Sequence, residues 1–303
     1  MSTRIFVTGA TGYLGGAIAA RLARAGHEVF GLTRDAERAS ALAAIGIKPV
    51  LGDLSERDTF MGALQNCDAA VHALYDEDDV AGRDQTALEA YRQAAQDGRV
   101  RRLLYTSGMW VHGDTGGKVI DESAPIAPLG VVAWRAAHEE VAMDLSEHEV
   151  TVTVFRPAIV YGESRGILGG MFAEARARRT VSYPGDGTQH WGMVHRDDVA
   201  EAYALALEHG RGGERYALVD ETQLTVREIA EAIARASGAA ARPWPRAEVI
   251  AKLGLFGEAL LTDQKITAVK ARRQLGWVPR HTSFVHEAEA LYREWQEQQA
   301  GVA

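Results

Sequence analysis

The sequence predicts an α/β fold, a doubly wound parallel sheet followed by a smaller C-terminal lobe. Three observations lead there. A β-branched and aromatic run, Arg4-Ile5-Phe6-Val7-Thr8, passes through glycines at 9, 12 and 15 into Leu14, Ala17, Ile18, Leu22 and Ala25 at helical spacing. Further short apolar runs, each bounded by turn residues, recur along the first half of the chain with helical stretches between them. Finally, 303 residues of which 47% are hydrophobic can bury one large core or two unequal ones, as one or two domains.

The opening turn gives each glycine a use. Gly9 allows the tight turn, Gly12 lets the backbone approach a pyrophosphate, and Gly15 lets the helix pack on the strand, while the first helical amides attract the anion. This strand, turn and helix predict a Rossmann unit holding a dinucleotide against Gly9, Thr11, Gly12, Tyr13 and Leu14. Gly26 ends the helix and Glu28-Val29-Phe30-Gly31-Leu32 forms the second strand, closing the first βαβ unit.

Coenzyme choice falls to the residues at the end of that strand. An acidic residue there would accept from a ribose 2′-hydroxyl, but the chain offers Thr33-Arg34, a hydroxyl and a guanidinium suited to a 2′-phosphate. NADP(H) is therefore expected ahead of NAD(H). Asp35 follows directly, so a register slip of two residues restores the NAD reading.

Pro49-Val50-Leu51-Gly52-Asp53-Leu54 reads as the third strand, and Ala69-Ala70-Val71-His72-Ala73-Leu74 as a buried fourth. Asp53 serves equally well as a cap for the next helix or as a coenzyme contact. Tyr75 and the acidic run Asp76-Glu77-Asp78-Asp79 come next; such a run is ordinarily a solvated loop, and binding of a cationic substrate is the lesser reading. A helix containing Leu88 and Tyr91 leads to the fifth strand, Arg101 to Ser107, and on to Gly108-Met109-Trp110-Val111-His112-Gly113.

Four later or earlier signatures stand in order with this one: Thr8-Gly-x-x-Gly-x-x-Gly15, Phe155-Arg156-Pro157-Ala158-Ile159-Val160-Tyr161-Gly162, Val194-His195-Arg196-Asp197-Asp198-Val199-Ala200, and Lys270 to Pro279. Together they cover nearly the whole chain, which thereby resembles the short-chain dehydrogenase/reductase superfamily of the extended or atypical, NAD-dependent epimerase/dehydratase-like type. The resemblance implies that Asp53 lies against the adenine. It also implies that Leu54, Ala73, Thr106, Ser107, Arg135, Pro157, Ile159 and Val160 border the coenzyme.

The catalytic pattern of that superfamily is broken. Carbonyl-reducing members carry a Ser/Thr on the fifth strand and a Tyr-x-x-x-Lys on the next helix, so that a phenol exchanges a proton while an ammonium lowers its pKa from about 10. Here no tyrosine occurs between Tyr105 and Tyr161, and no lysine between Lys118 and Lys252. Anchored on Arg156-Pro157 and on Glu139, the alignment puts Arg135 at the lysine position and Val131 at the tyrosine; a register three residues on gives Trp134 and His138. Gly108 falls at the Ser/Thr position, with Ser107 one place short. Arginine can hold a ribose or polarise an oxygen but cannot exchange a proton near neutrality.

A proton donor is therefore sought elsewhere, among His112, His138, Tyr161, Tyr75 and water held by Thr106 or Ser107. His112 comes first, because it follows the fifth strand at the ligand-binding edge and has a suitable unperturbed pKa. A rim histidine bonded to backbone explains it equally well. Ser107, His112 and Arg135 are thus the expected catalytic residues. Tyr75, Gly108, Trp110, Val131, Trp134, Tyr161 and Trp191 are expected around the substrate, the tryptophans as walls, since indole only donates.

Past Gly162 a helix through Met171 and Ala177 is expected, with Arg178 and Arg179 in its last turn, where cations complement the helix dipole. Pro184-Gly185-Asp186-Gly187 is turn chemistry, and the resemblance implies that Gln189-His190-Trp191 faces the pocket. Tyr216 to Val219 returns as a strand, and Thr225-Val226-Arg227-Glu228 opens a capped helix. The expected division is a coenzyme domain of residues 1–160, joined by 188–220, with 161–187 and 221–303 as the substrate lobe.

Composition excludes several functions. A net charge of −8 disfavours nucleic acid and anionic membranes, which demand basic surfaces. The start Met1-Ser2-Thr3-Arg4 runs into the first strand without a signal-like apolar region, so a cytoplasmic location is expected. Cys67 is the only cysteine and has no activating cation beside it; ten scattered histidines lack metal-site spacing, and no metal is expected. These readings point to an NADP(H)-binding oxidoreductase for a small organic carbonyl or related substrate, with a rearranged proton relay and partnered, if at all, by a second copy of itself. The alternatives are a coenzyme-binding sensor without chemistry, and an epimerase or dehydratase that recycles its coenzyme.

Overall fold

The computed structural model describes residues 2–75, 79–163 and 165–301. Seven strands form one sheet: β1 Arg4–Thr8, β2 Glu28–Thr33, β3 Lys48–Leu51, β4 Ala69–His72, β5 Arg102–Thr106, β6 Thr151–Pro157 and β7 Glu214–Leu218. Their spatial order is β3-β2-β1-β4-β5-β6-β7, and every neighbouring pair is parallel. The doubly wound α/β reading is what this order describes. The chain leaves β1 in one direction and returns to β4 on its other side, so a crevice opens between the carboxyl ends of β1 and β4.

The inner strands are apolar on both faces because helices cover both. Ile5, Val7, Val71, Leu104 and Phe155 enter one core, while Phe6, Ala70, Leu103, Tyr105 and Val154 alternate into the other. At the edge, β3 exposes Lys48, Pro49 and Leu51, and a proline is tolerated there because an edge strand has a side without ladder bonds. The strand stops at Leu51, short of the expected Leu54. Asp53 Oδ1 accepts from the Ser55 amide at 2.8 Å, and that turn replaces extended pairing.

The crevice depends on the first and last glycines of the opening turn. A Cβ on Gly9, which adopts a φ of 75°, would lie 2.3 Å from the Ala73 carbonyl oxygen; one on Gly15 would lie 2.2 Å from the Gly9 carbonyl oxygen. No flexible side chain can yield in either place. Gly15→Ala is expected to destabilise the fold by about 1–3 kcal/mol and to abolish coenzyme binding, measured by urea unfolding and fluorescence titration.

A third core belongs to the lobe, where Phe172, Trp191, Ile229, Ile233, Phe284 and Trp295 pack together. Its helix Val226–Ser237 begins in a capping box between Thr225 and Glu228, as the sequence predicts. The helix expected at Met171–Ala177 runs Gly166–Arg178, and Arg179 lies beyond its end with a left-handed φ of 56°. Arg179 donates instead to the Ser237 and Gly238 carbonyls, at the C-terminus of a different helix. One segment that the expected division gives to the lobe packs elsewhere. Ile266, Ala268, Ala271, Leu275 and Trp277 pack in the core beneath the sheet, where Trp277 Nε1 donates to the Asp198 carbonyl. No helix among the described residues is long and apolar enough to cross a membrane.

Candidate functional site

One large cavity, about 2160 Å³, runs from the crevice to the lobe. Ligand pockets commonly span about 300–1,000 Å³, so this space admits an extended coenzyme and a second molecule beside it. At its floor the helix Tyr13–Arg24 starts at Gly12 with no side chain capping it and no acidic residue in its first turn. Its leading amides are therefore open to an anion, and the residues present fit a dinucleotide pyrophosphate.

The structure brings most of the predicted coenzyme residues to this cavity. Gly9, Thr11, Gly12, Tyr13 and Leu14 line its floor, and Tyr13 also donates to the Gly162 carbonyl at 2.7 Å. Arg34, Leu54 and Ala73 border one end; Thr106, Ser107 and Arg135 lie at the carboxyl end of β5, facing Pro157, Ile159 and Val160. Asp53 is not among the lining residues. It sits behind them, 3.6 Å from the guanidiniums of both Arg34 and Arg83, while accepting from the Ser55 amide and hydroxyl. Burial alone would raise its pKa, but those hydrogen bonds and the two arginines hold the carboxyl below the usual range. Arg38, which the sequence reading passed over, lines the same end. Its spacing of four from Arg34, across the helix cap at Asp35, was the available signal.

Of the expected substrate residues, Tyr75, Gly108, Trp110, Val131, Trp134 and Trp191 line the cavity. Tyr161 does not. Its ring is fully buried against His195 and Phe284, so it packs between the lobe and the sheet instead of facing a ligand. Asp76, Glu77 and Asp78 of the acidic run lie outside the described residues.

His112 loses its place as first proton donor. It is buried and absent from the lining, with Nδ1 bonded to the Pro125 carbonyl and Nε2 facing Arg156 Nη1 at 2.9 Å. Nδ1 therefore donates and Nε2 accepts. Burial, then the Arg156 charge, pushes its pKa down and keeps the ring neutral. The backbone-bonded rim histidine is what the geometry shows.

His138 is committed as well. Its Nδ1 meets Asp84 Oδ2 at 2.9 Å, and Asp84 also accepts from His72 Nε2 and the Tyr105 hydroxyl. Burial alone would raise the Asp84 pKa, but the two imidazoles and the phenol outweigh it and hold the carboxylate anionic. Thr8 and Tyr91 extend this network beneath the crevice through His72 Nδ1. The sequence reading missed it. Asp84, Ala87, Leu88 and Tyr91 share the buried stripe of helix Val80–Asp97, and a carboxylate on such a stripe is a legible sign of an internal partner.

Arg135 is held by its surroundings. Arg156 forks onto Glu139 one helical turn further along, and both side chains are almost fully buried. These are the two residues on which the sequence alignment is anchored. With helix Arg135–Met143 fixed this way, Arg135 Nη1 donates to the Thr106 carbonyl at 3.0 Å and its guanidinium stacks on Trp134 at 4.5 Å. Thr106 Oγ1 donates to the His72 carbonyl at 2.5 Å and takes its own hydrogen bond from Tyr203. Burial raises the Tyr203 phenol above its ordinary range, so it holds its proton. The Ser107 hydroxyl is buried without a partner among the described residues.

Cys67 is inert: it is buried, its thiol meets the Ala63 carbonyl, and burial pushes its pKa up to about 12. His195 caps helix Arg196–His209 and stacks on His281 at 3.5 Å. Burial, then the neighbouring imidazole, pushes the His195 pKa down to about 4. Below about pH 6.5 the unfolded histidine takes the proton first, so this contribution to stability is whole above that pH and is lost as pH falls toward 4. Asp220, raised to about 7 by burial, acts oppositely, losing its contribution as pH rises through 7. His195→Asn is expected to flatten the acid side of the stability profile, read from melting temperatures between about pH 7 and pH 4.

The sequence model of the NAD dependent epimerase/dehydratase family matches residues 5–218. The uncharacterized protein C2A9.02 of Schizosaccharomyces pombe is 30% identical over 292 residues, covering 93% of this chain and 97% of that protein. A 4-hydroxy-2-methyl-3-oxo-4-farnesyl-3,4-dihydroquinoline-1-oxide ketoreductase of Stigmatella aurantiaca is 27% identical, covering 92% of this chain and 93% of its own. Among solved structures, a dTDP-glucose 4,6-dehydratase double mutant of Streptomyces venezuelae, with NAD and DAU bound, superposes with a TM-score of 0.83 at 23% identity, covering 98% of each chain.

Proposed function

The chain belongs to the NAD dependent epimerase/dehydratase family, and from that premise we propose that it is an NADP(H)-dependent oxidoreductase for a small organic carbonyl or related substrate. The observation that carries this reading is the alignment, in one cavity, of the uncapped helix start at Gly12, the guanidinium of Arg34 and the cationic group of Arg135. A pyrophosphate suits the first, a 2′-phosphate the second, and the third meets either the nicotinamide ribose or a reacting oxygen. Bound there, a nicotinamide coenzyme supplies or accepts a hydride. A ketoreductase stands among the relatives beside epimerases of similar identity, and Arg34 and the missing tyrosine weigh against the epimerase reading.

The chain's own residues orient and polarise; they do not supply the usual phenolic proton. Val131, which the sequence alignment sets at the family's tyrosine position, lines the cavity, and the Arg135 guanidinium is too weak an acid to release a proton near neutrality. Purified protein incubated with NADPH and a panel of carbonyls should oxidise the coenzyme. Arg135→Met should lower kcat by about 100-fold, as loss of an oxyanion partner does elsewhere. Coenzyme binding without turnover on any carbonyl would favour a sensor instead.

A further inference from the structure

The reaction proposed above leaves the substrate undefined, and the inference that follows rests on that reading. Arg135 is half-buried in the cavity wall, and among the described residues no carboxylate pairs with it. Among the described residues its one hydrogen-bond partner is a neutral carbonyl, that of Thr106, whose peptide bond leads directly into Ser107. Ser107 borders the same wall, and its hydroxyl, buried just behind that surface, has no partner among the described residues. A cation without a counter-ion beside an unused donor describes a place for a negatively charged oxygen.

The groups around Arg135 and the opening turn supply no free acid, and the Tyr75 phenol that also lines the cavity is largely exposed to solvent. Val131 is aliphatic, Thr106 spends its hydrogen on the His72 carbonyl, and Tyr13 spends its own on Gly162. Burial raises the phenols of Tyr13 and Tyr203, which weakens both as donors. His112 and His138 have the commitments already described. A saturated ketone suits this site poorly, since its reduction leaves a strongly basic alkoxide that needs a proton at once. A conjugated acceptor leaves its charge delocalised. The walls agree: Trp110 and Phe256 meet edge to face at 6.0 Å, and Trp134 closes another side, a setting for a flat π-system.

We propose that the substrate is a planar conjugated carbonyl, an α,β-unsaturated or quinonoid compound, whose anionic oxygen is held by Arg135 and Ser107. The C=C bond gains a hydride at its far carbon from the reduced nicotinamide coenzyme, which is oxidised. The π pair of that bond moves into the carbonyl, the charge rests as an enolate on oxygen beside Arg135, and the α-carbon then takes a proton from water. Net, one C=C bond is reduced by two electrons and two hydrogens.

The test reads the oxygen site without turnover. Para-nitrophenol, whose phenolate absorbs apart from the phenol, is titrated against the protein with no coenzyme present. Its pKa on the protein should fall by about 1–3 units, the effect of a nearby opposite charge. Arg135→Met should abolish the shift, Arg135→Lys should restore part of it, and Ser107→Ala should reduce it. Separately, a conjugated enone should be turned over at least about tenfold faster than its saturated ketone. A bound phenol that titrates as it does in solution, a shift that survives Arg135→Met, or equal rates on the two ketones would overturn the assignment. Coenzyme affinity, measured alone, reports on the underlying oxidoreductase reading and distinguishes its failure from this one.

Discussion

Replacing Glu139 by alanine is expected to destabilise the protein by about 3–5 kcal/mol, the usual consequence of stripping one member from a buried ion pair. Arg156 is 2% exposed and Glu139 1%, so water cannot take over the lost carboxylate. Two of the three guanidinium nitrogens would lose their acceptor, leaving His112 Nε2 and the Glu122 carbonyl on the third. The damage should reach the site, because Glu139 is what ties helix Arg135–Met143 to β6 and so sets Arg135 against Thr106. Urea unfolding measures the first effect and kcat the second. The double variant Glu139→Leu with Arg156→Met should recover much of the stability but not the activity, since apolar residues can replace the pair as packing without orienting Arg135. A loss below about 1 kcal/mol in Glu139→Ala would show that the pair does not anchor the helix.

Arg34→Glu carries the next largest effect. It should weaken NADPH binding by about 10–100-fold and change NADH affinity by less than about threefold. The range is set low because the Arg34 side chain is 58% exposed, and solvent and salt screen a charge so placed. Arg38 on the same rim should retain part of the phosphate affinity, so Arg34→Glu with Arg38→Ala should lose more than either alone. Isothermal titration of the variants with both coenzymes reads this directly. Equal losses for NADPH and NADH would place Arg34 in folding or in general attraction, not in recognition of the 2′-phosphate.

The sheet was legible because buried parallel strands are written as continuous apolar runs, and because the glycines at 9 and 15 sit where a Cβ has no room. The coenzyme edge was legible for the same reason: strand ends and helix starts fall at fixed places in a doubly wound sheet. Side-chain direction was not. His112 lies at the ligand-binding edge in sequence, yet it turns inward, because a buried Arg156 needs an acceptor that Nε2 provides. Tyr161, expected around the substrate, fills the seam with His195 and Phe284, a long-range packing that local pattern does not encode. Arg156 and Glu139, by contrast, were read as alignment anchors and proved to be bonded partners. The segment 265–277 was assigned to the lobe because its neighbours are there, and its return beneath the sheet rests on long-range contacts that local pattern does not show: apolar packing, the Trp277 hydrogen bond and a short pairing with Val119–Ile120.

A fluorescence titration of the unmodified protein with NADPH and NADH tests the central claim, that a phosphorylated dinucleotide lies across the crevice between β1 and β4 with Arg34 at its 2′-phosphate. Both coenzymes should bind, NADPH more tightly by about tenfold or more. No measurable affinity for either would contradict the account, and tighter binding of NADH would contradict the role given to Arg34.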